Sequence, residues 1–375
     1  MMDSEKLIIG AGPIGLFLGS KIKDSTIIDA KKEIGKPIRC TGVVTDHIKH
    51  FLTQKELKRI TINEITQTEI IGPTKKLKTK IKKNYIIDNT EFENILYNKA
   101  IKNNNKIILN TKYIKSKNGK HTIKSTKTGN EKIIKSEKII GIDGPNSRVA
   151  KQNKIKPVTK TLTGLQVRMK LKDQENLIKF FPHIGEYAWF VPEEENFARV
   201  GIATTNKHSQ SKASLRFGQS PNNPQQLLNT FLKRFKGKII EQQSGIIPLH
   251  RPFRKTSNKK CVLLGDAAGH TKNTTGGGIV LGLKAVENYI AQKQSKTAPY
   301  KDLNKELYIH FLVHNAIKTA NKSEWDSIIK NMTNSTVLSQ NNRDDLWAWA
   351  PKLIRQPKIA RFCTKKLFSG QLSLR

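Results

Sequence analysis

The sequence predicts an α/β protein: a Rossmann-like nucleotide-binding domain, an inserted antiparallel-sheet domain and a helical C-terminus. Three observations carry that expectation. The chain opens with Gly10-x-Gly12-x-x-Gly15 behind a short apolar run. Far downstream it repeats the theme with Gly265-Asp266-Ala267-Ala268-Gly269, followed by Thr274-Thr275-Gly276-Gly277-Gly278-Ile279. Between the two lie strand-like segments, including one that ends in Asp143-Gly144.

The first element reads as a phosphate loop. Leu7-Ile8-Ile9 suits a buried parallel strand. Gly10 permits the tight turn, Gly12 lets backbone approach a pyrophosphate, and Gly15 allows the next helix to pack closely, with Ile14 between them. That helix directs its free N–H groups at phosphate. A second strand, Thr26-Ile27-Ile28, ends in Asp29, placed to accept from a ribose 2′-OH.

The second element has separate mechanics. Cys261-Val262-Leu263-Leu264 is another buried-strand run, with Asp266 at its carboxyl end. Gly276, Gly277 and Gly278 open an apolar helix from Ile279 to Ile290. Ligands of open α/β sheets sit outside strand carboxyl ends, and a helix start there favours a reduced, anionic ring. One glycine loop can hold any phosphate; two suit a long, two-ended cofactor such as FAD, with Asp266 on the ribityl chain. The plainer alternative is that Asp266 caps a turn and the glycines serve packing alone.

Lys138 to Arg148 reads as a strand turning into a helix, and Gly141-x-Asp143-Gly144-x-x-Ser147 resembles the G-x-D-G-x-x-S motif of flavoprotein hydroxylases and reductases. That resemblance implies an FAD-binding domain of the glutathione reductase type 2, hydroxylase-like kind. An Asp-Gly surface turn is the alternative.

Further segments narrow the resemblance. Pro37-x-Arg39-Cys40-x-Gly42 follows Asp29, and Tyr187-Ala188-Trp189-Phe190-Val191-Pro192 lies mid-chain. With Asp266 to Ile279 these resemble the geranylgeranyl reductase family, in particular its archaeal, digeranylgeranylglycerophospholipid reductase-like branch. The resemblance covers about residues 5 to 290. It implies FAD-dependent saturation of isoprenoid chains in ether-linked membrane lipids. It also implies flavin contacts from Arg39, Cys40 and Gly42, and a substrate surface of Tyr187, Trp189, Val191 and Pro192. Cys40, Tyr187 and Trp189 are the expected catalytic residues, with a structural thiol and plain apolar packing as their alternatives. The chain departs from the family where Val191 replaces a Phe, where Asp88-Asn89 stands for Asp-Arg, and in a first crossover about one helical turn short.

The chemistry follows from an isolated alkene, which is unpolarised. Protonation at the less substituted carbon places cationic character on the tertiary one, where flavin N5 delivers hydride. Aromatic faces at Tyr187 and Trp189 would stabilise that charge. The electron donor stays open between ferredoxin and NAD(P)H, as no second nucleotide loop stands out. Rival readings are a monooxygenase or halogenase of the same fold, a reductase of quinone or chlorophyll-type prenyl chains, and a basic membrane- or RNA-binding protein without catalysis.

A chain of 375 residues can bury a large core and split into lobes. A mean hydropathy of −0.52 and the lack of a long uncharged apolar run argue against a spanning helix, and the N-terminus does not read as a signal peptide. Three scattered cysteines suit a reducing, cytoplasmic setting. No metal is expected: His310 and His314 are spaced on one helix with no acid between them and read as surface residues.

The net charge of +38 comes mainly from Lys. It is spread through the chain, although Lys75–Lys83 is a local run. A tail with Ile359, Phe362, Cys363 and Leu367 flanked by Lys358, Arg361, Lys365 and Lys366 could lie on an anionic membrane, with a solvated packing helix as the alternative for it and for the lysine run. Peripheral attachment to the inner membrane face is the matching location. No specific nucleic-acid contact is expected, since no zinc-finger or RNP-type motif is present.

The expected organisation assigns residues 1–60, 88–160 and 250–295 to the FAD domain, 61–87 and 161–249 to the substrate sheet, and 296–375 to a helical region. Within it, Thr90-x-x-Glu93 reads as a capping box, Asn118-Gly119 as a hairpin turn, and Pro221–Pro224 as an exposed loop. Trp325, Trp347 and Trp349 read as packing anchors.

Overall fold

The computed structural model describes residues 2–3, 6–172, 175–194, 196–205 and 223–333. The expected basic face of residues 358–367 and the anchors Trp347 and Trp349 therefore lie outside the described residues, as does Pro221.

The chain opens with β1 (Met2–Asp3) and β2 (Lys6–Ile9), then α1 (Pro13–Gly19) and β3 (Ser25–Ile28). Next come β4 (Val43–Thr45), α2 (Gln54–Ile60) and the long hairpin of β5 (Thr61–Ile71) and β6 (Lys76–Ile87). The helix α3 (Asn89–Lys102) precedes β7 (Lys106–Ile108), β8 (Thr111–Lys117), β9 (Lys120–Ser125), β10 (Glu131–Lys135), β11 (Lys138–Gly141) and α4 (Arg148–Gln152). A second long excursion contains β12 (Thr161–Leu171), β13 (Ile178–Phe181), β14 (Tyr187–Pro192), β15 (Phe197–Thr204), α5 (Pro224–Leu232) and β16 (Gly237–Pro248). The chain then returns through β17 (Cys261–Leu263) to α6 (Ile279–Lys293), α7 (Leu303–Ile317) and α8 (Lys322–Thr333).

Three sheets result. A wholly parallel one has the order β17-β11-β2-β3-β7. Its strands are buried on both faces: Ile8 and Ile27 join the core under α1, α3 and α6, while Leu7, Ile9 and Ile28 join the core on the other side. An eight-stranded sheet runs β16-β12-β15-β14-β13-β5-β6-β4, antiparallel except where β13 meets β5. A four-stranded sheet, β1-β10-β9-β8, is built largely from residues 111–135. Its β8–β9 hairpin turns at Asn118 and Gly119, both at positive φ, the conformation a two-residue turn of this kind requires.

The lysine run is a strand, not a patch apart. Leu77 is buried while Lys76, Lys78 and Lys80 stand outside, and Lys78 and Lys83 pair with Glu175 and Glu64. Trp325 on α8 is buried, and Asp326 beside it accepts from the Thr74 and Lys75 amides at the β5–β6 turn.

Three expectations are corrected. The cap of α3 is Asp88, whose carboxylate accepts from the Thr90 and Glu91 amides; Thr90 instead donates to the Gly35 carbonyl, and Glu93 is drawn to a lysine. His310 and His314 are buried rather than on the surface, at 2 % and 9 % exposure, because that side of α7 faces inward along with Leu307. Pro224 opens α5 instead of ending a loop, where its missing N–H costs nothing.

Candidate functional site

At the nucleotide end, the Gly10 and Gly15 positions admit no side chain. A Cβ on Gly15 would overlap the Gly10 carbonyl, and one on Gly10 would overlap the Ile142 carbonyl. Gly12 differs: no atom lies within 4 Å of where its Cβ would be, so its face looks into open space at the start of α1. Asp29 accepts from the Ala11 amide at 2.7 Å and the Lys31 amide at 2.8 Å, holding loop and strand end together. Sequence reasoning missed the next layer. The Lys31 ammonium donates to the Ala11 carbonyl at 2.9 Å and to Glu93 at 2.7 Å, and Glu93 also accepts from the Gly35 amide. The signal was available in Asp88, one residue ahead of the helix and a better cap than Thr90.

The two glycine elements meet at Ile14. Its side chain fills the space over Gly265 and Gly282, where a Cβ would stand 3.4 Å and 2.6 Å away. This contact brings Asp266 to the start of α1. Thr271 donates to Asp266 at 3.2 Å, and Gly278 also lies against its carboxylate. Desolvation pushes the Asp266 pKa up to about 6, opposed by the hydrogen bond from Thr271. No side chain caps the start of α6 at Gly278, which leaves its amides toward the same place. Ile279 begins the helix.

Above this loop lies an aromatic surface. Tyr187 and Trp189 alternate on one face of β14, and Phe180 pairs opposite Trp189 on β13. The Phe180 and Tyr187 rings stack at 5.6 Å, and Tyr187 and Trp189 are 5.9 Å apart. Tyr187 is buried, its pKa is raised by desolvation, and its hydroxyl reaches Gly276. Trp189 is half-buried, and Gly201 on the neighbouring strand leaves room for its indole. Val191 lies farther along the same face, buried with Ile65, Ile86 and Ile178. Pro192 ends the strand, buried, its carbonyl accepting from Asn63.

Cys40 sits on the loop that leads from β3 of the parallel sheet to β4 of the eight-stranded sheet. Its side chain is open to the cleft, yet the protein around that cleft raises the thiol pKa, opposed by the Gly42 amide 3.4 Å from Sγ. Gly42 is at positive φ and lies against the Ile87 carbonyl and Asn89. Arg39 is exposed, with its backbone beside Gly245 of β16. The loop is hooked to the eight-stranded sheet: Thr41 donates to Gln166, which donates to Gln243. Arg199 donates to the Cys40 carbonyl at 2.7 Å. Arg199 escaped the sequence reading, although a lone cation within the apolar run of β15 was a usable sign.

Asp143 has a structural use, accepting from Ser147, Arg148 and Val149 at the start of α4. Behind the second loop, His310 Nδ1 shares a hydrogen bond with Thr274 at 2.7 Å, and its Nε2 lies 3.0 Å from the Glu306 carboxylate. Burial holds His250 down at about 4 and His270 at about 3, so both are neutral near pH 7.

The side-chain-free cradle at Gly10, Gly12 and Gly15, the acid on the loop amide and the second loop meeting the first at Ile14 fit a dinucleotide with an extended ring system. Comparison with known proteins agrees. A digeranylgeranylglycerophospholipid reductase of Methanosphaera stadtmanae is 26 % identical, over 89 % of this chain and 92 % of its own length. A geranylgeranyl bacteriochlorophyll reductase-like protein of Thermoplasma acidophilum superposes with a TM-score of 0.78 at 19 % identity, covering 98 % of this chain and all of that one. A p-nitrophenol 4-monooxygenase of Pseudomonas putida shares the fold at a TM-score of 0.69 and 13 % identity, over 96 % and 99 % of the two chains. Residues 3–292 match the FAD binding domain family, and the chain belongs to it.

Proposed function

We propose that this flavoprotein reduces isoprenoid C=C bonds in the geranylgeranyl chains of ether-linked membrane lipids. The observation that carries the reading is the aromatic surface of Phe180, Tyr187 and Trp189 resting on Gly276 of the second glycine loop. It sets an apolar wall directly beside the place a flavin ring would take. The 26 % identity to a reductase of such lipids over most of both chains supports the same substrate class.

FAD, when bound, supplies the hydride. The chain's own residues do the rest. Gly10, Gly12, Gly15 and Asp29 would hold the adenosine and pyrophosphate end, Asp266 the ribityl hydroxyls, and Gly276 to Ile279 the ring edge. Tyr187 and Trp189 would line the prenyl slot, exclude water and face developing positive charge with their π-systems. Val191 and Pro192 would close its far end. Cys40, Arg39 and Gly42 would border the ring from the opposite loop, with the Cys40 thiol, kept protonated by its raised pKa, able to hold a proton at Sγ.

The lipid substrate implies contact with a membrane. Among the described residues, no helix is long and apolar enough to cross one, so attachment at an anionic surface through the chain's excess of cations is the matching arrangement. The reductant is ferredoxin or NAD(P)H. Anaerobic incubation of the reduced protein with unsaturated ether lipids tests the whole reading. Mass spectrometry should find a gain of two hydrogens per bond; no change in the lipid, or oxygen insertion in a parallel aerobic incubation, would refute it.

A further inference from the structure

Arg168 and Arg199 stand directly opposite each other on the paired strands β12 and β15. Two like charges so placed repel. Glu193 resolves the conflict: one carboxylate oxygen accepts from Arg168 Nε and the other from Arg199 Nε. Glu193 is 1 % exposed and Arg199 5 %, so this pair is taken wholly out of water. Such a pair contributes little net stability for its desolvation cost. What it does provide is a rigidly aimed guanidinium, and Arg199 uses its remaining edge on the Cys40 carbonyl.

That carbonyl takes a second donor, Asn89 Nδ2, at 3.0 Å. The neighbouring residue is tied as well, Thr41 to Gln166 and Gln166 to Gln243. Successive residues of one loop are thus fastened to β12, β15 and β16, and the charged fastening is the one on Cys40 itself.

We propose that Arg199, held by Glu193, is a positioning residue that fixes the Cys40–Gly42 loop against the eight-stranded sheet and so sets where the Cys40 thiol stands. This rests on the reading above that Cys40 borders the flavin. The guanidinium acts on the loop through the peptide carbonyl and touches neither substrate nor cofactor. Its positive charge also favours the thiolate, opposing the desolvation by surrounding protein that raises the thiol pKa.

The test uses the flavin-loaded protein and the rate at which iodoacetamide alkylates Cys40, followed by peptide mass spectrometry, with fully buried Cys261 as an internal reference. Arg199→Lys keeps the charge but cannot reach Glu193 and the Cys40 carbonyl together. It should change the Cys40 rate by about threefold or more while Cys261 stays protected, as expected for losing one charge-assisted hydrogen bond. A Cys40 rate changed by less than about threefold, or Cys40 and Cys261 rising together, would overturn the proposal. Should Arg199→Lys fail to fold, Glu193→Gln keeps the volume, releases Arg199 and carries the same expectation. In the parent protein, alkylating Cys40 should also shift the visible flavin spectrum. No shift would refute the placement of Cys40 beside the ring while leaving the Arg199 result to stand or fall alone.

Discussion

The Tyr187 hydroxyl lies so close to Gly276 that a methyl group on that glycine would overlap it. The two residues come from different sheets' territories, one on β14 and the other on the loop before α6, so their contact joins the prenyl slot to the cofactor loop. Gly276 is also at φ +71°, where an L side chain is strained. Gly276→Ala should therefore cost about 1–3 kcal/mol in thermal or urea unfolding. Tyr187→Phe alone should leave stability nearly unchanged, and in combination it should recover part of the loss. A double-mutant cycle with no coupling would show that the two do not touch.

Gly15→Ala should empty the cofactor site. The added methyl meets the Gly10 carbonyl, which is backbone and cannot swing away. A loss of about 3 kcal/mol, with the protein purified colourless, is the expected outcome; bound flavin at the parent level would contradict the loop's assignment.

Glu93 bridges Lys31 and the Gly35 amide, with both charged side chains 14 % exposed. Glu93→Ala leaves the partly buried lysine without its carboxylate and the Gly35 amide without its acceptor, at a cost of about 1–3 kcal/mol. Because Lys31 also holds the Ala11 carbonyl of the phosphate loop, FAD affinity measured by fluorescence quenching should fall along with stability.

Trp189→Ala should lower turnover more than flavin content. Its indole lies over Gly201, and removing it widens the slot without touching either glycine loop. Gly201→Ala would push the same ring from behind and should give a milder version of that result. Equal loss of flavin and activity in Trp189→Ala would argue against a role in the slot.

The stability of the flavin-free protein should depend on Asp266. Its folded-state pKa, about 6, lies above that of an unfolded aspartate. The folded protein therefore holds a proton that the unfolded chain releases near pH 4. Its contribution is complete below that value and is lost as pH rises through about 6. Flavin-free parent protein should thus lose melting temperature between about pH 4 and 6, and Asp266→Asn should flatten the curve. Ribityl hydroxyls donating to the carboxylate favour its charged form, so FAD should flatten it too. An identical slope with and without FAD would remove Asp266 from the cofactor site.

By itself the sequence determined the parts whose chemistry is local. Gly10, Gly12, Gly15 and Asp29 are spaced within one strand-turn-helix-strand unit, and Gly276 to Ile279 within one loop and helix. Backbone sterics and the period of apolar residues suffice for such units. The positive φ values at Asn118 and Gly119 were legible for the same reason.

Only the tertiary structure decided which distant groups share a charge or a cavity. Thr90 and Glu93 carried the pattern of a cap, yet Asp88 took that place and Glu93 went to Lys31, 62 residues away. His310 and His314 carried no burial signal until α7 turned them inward. Arg199 became the partner of Cys40, 159 residues away, only once the loop after β3 lay against β15. A buried charge must be met by whatever group the packing brings near, and no short window of sequence contains that group.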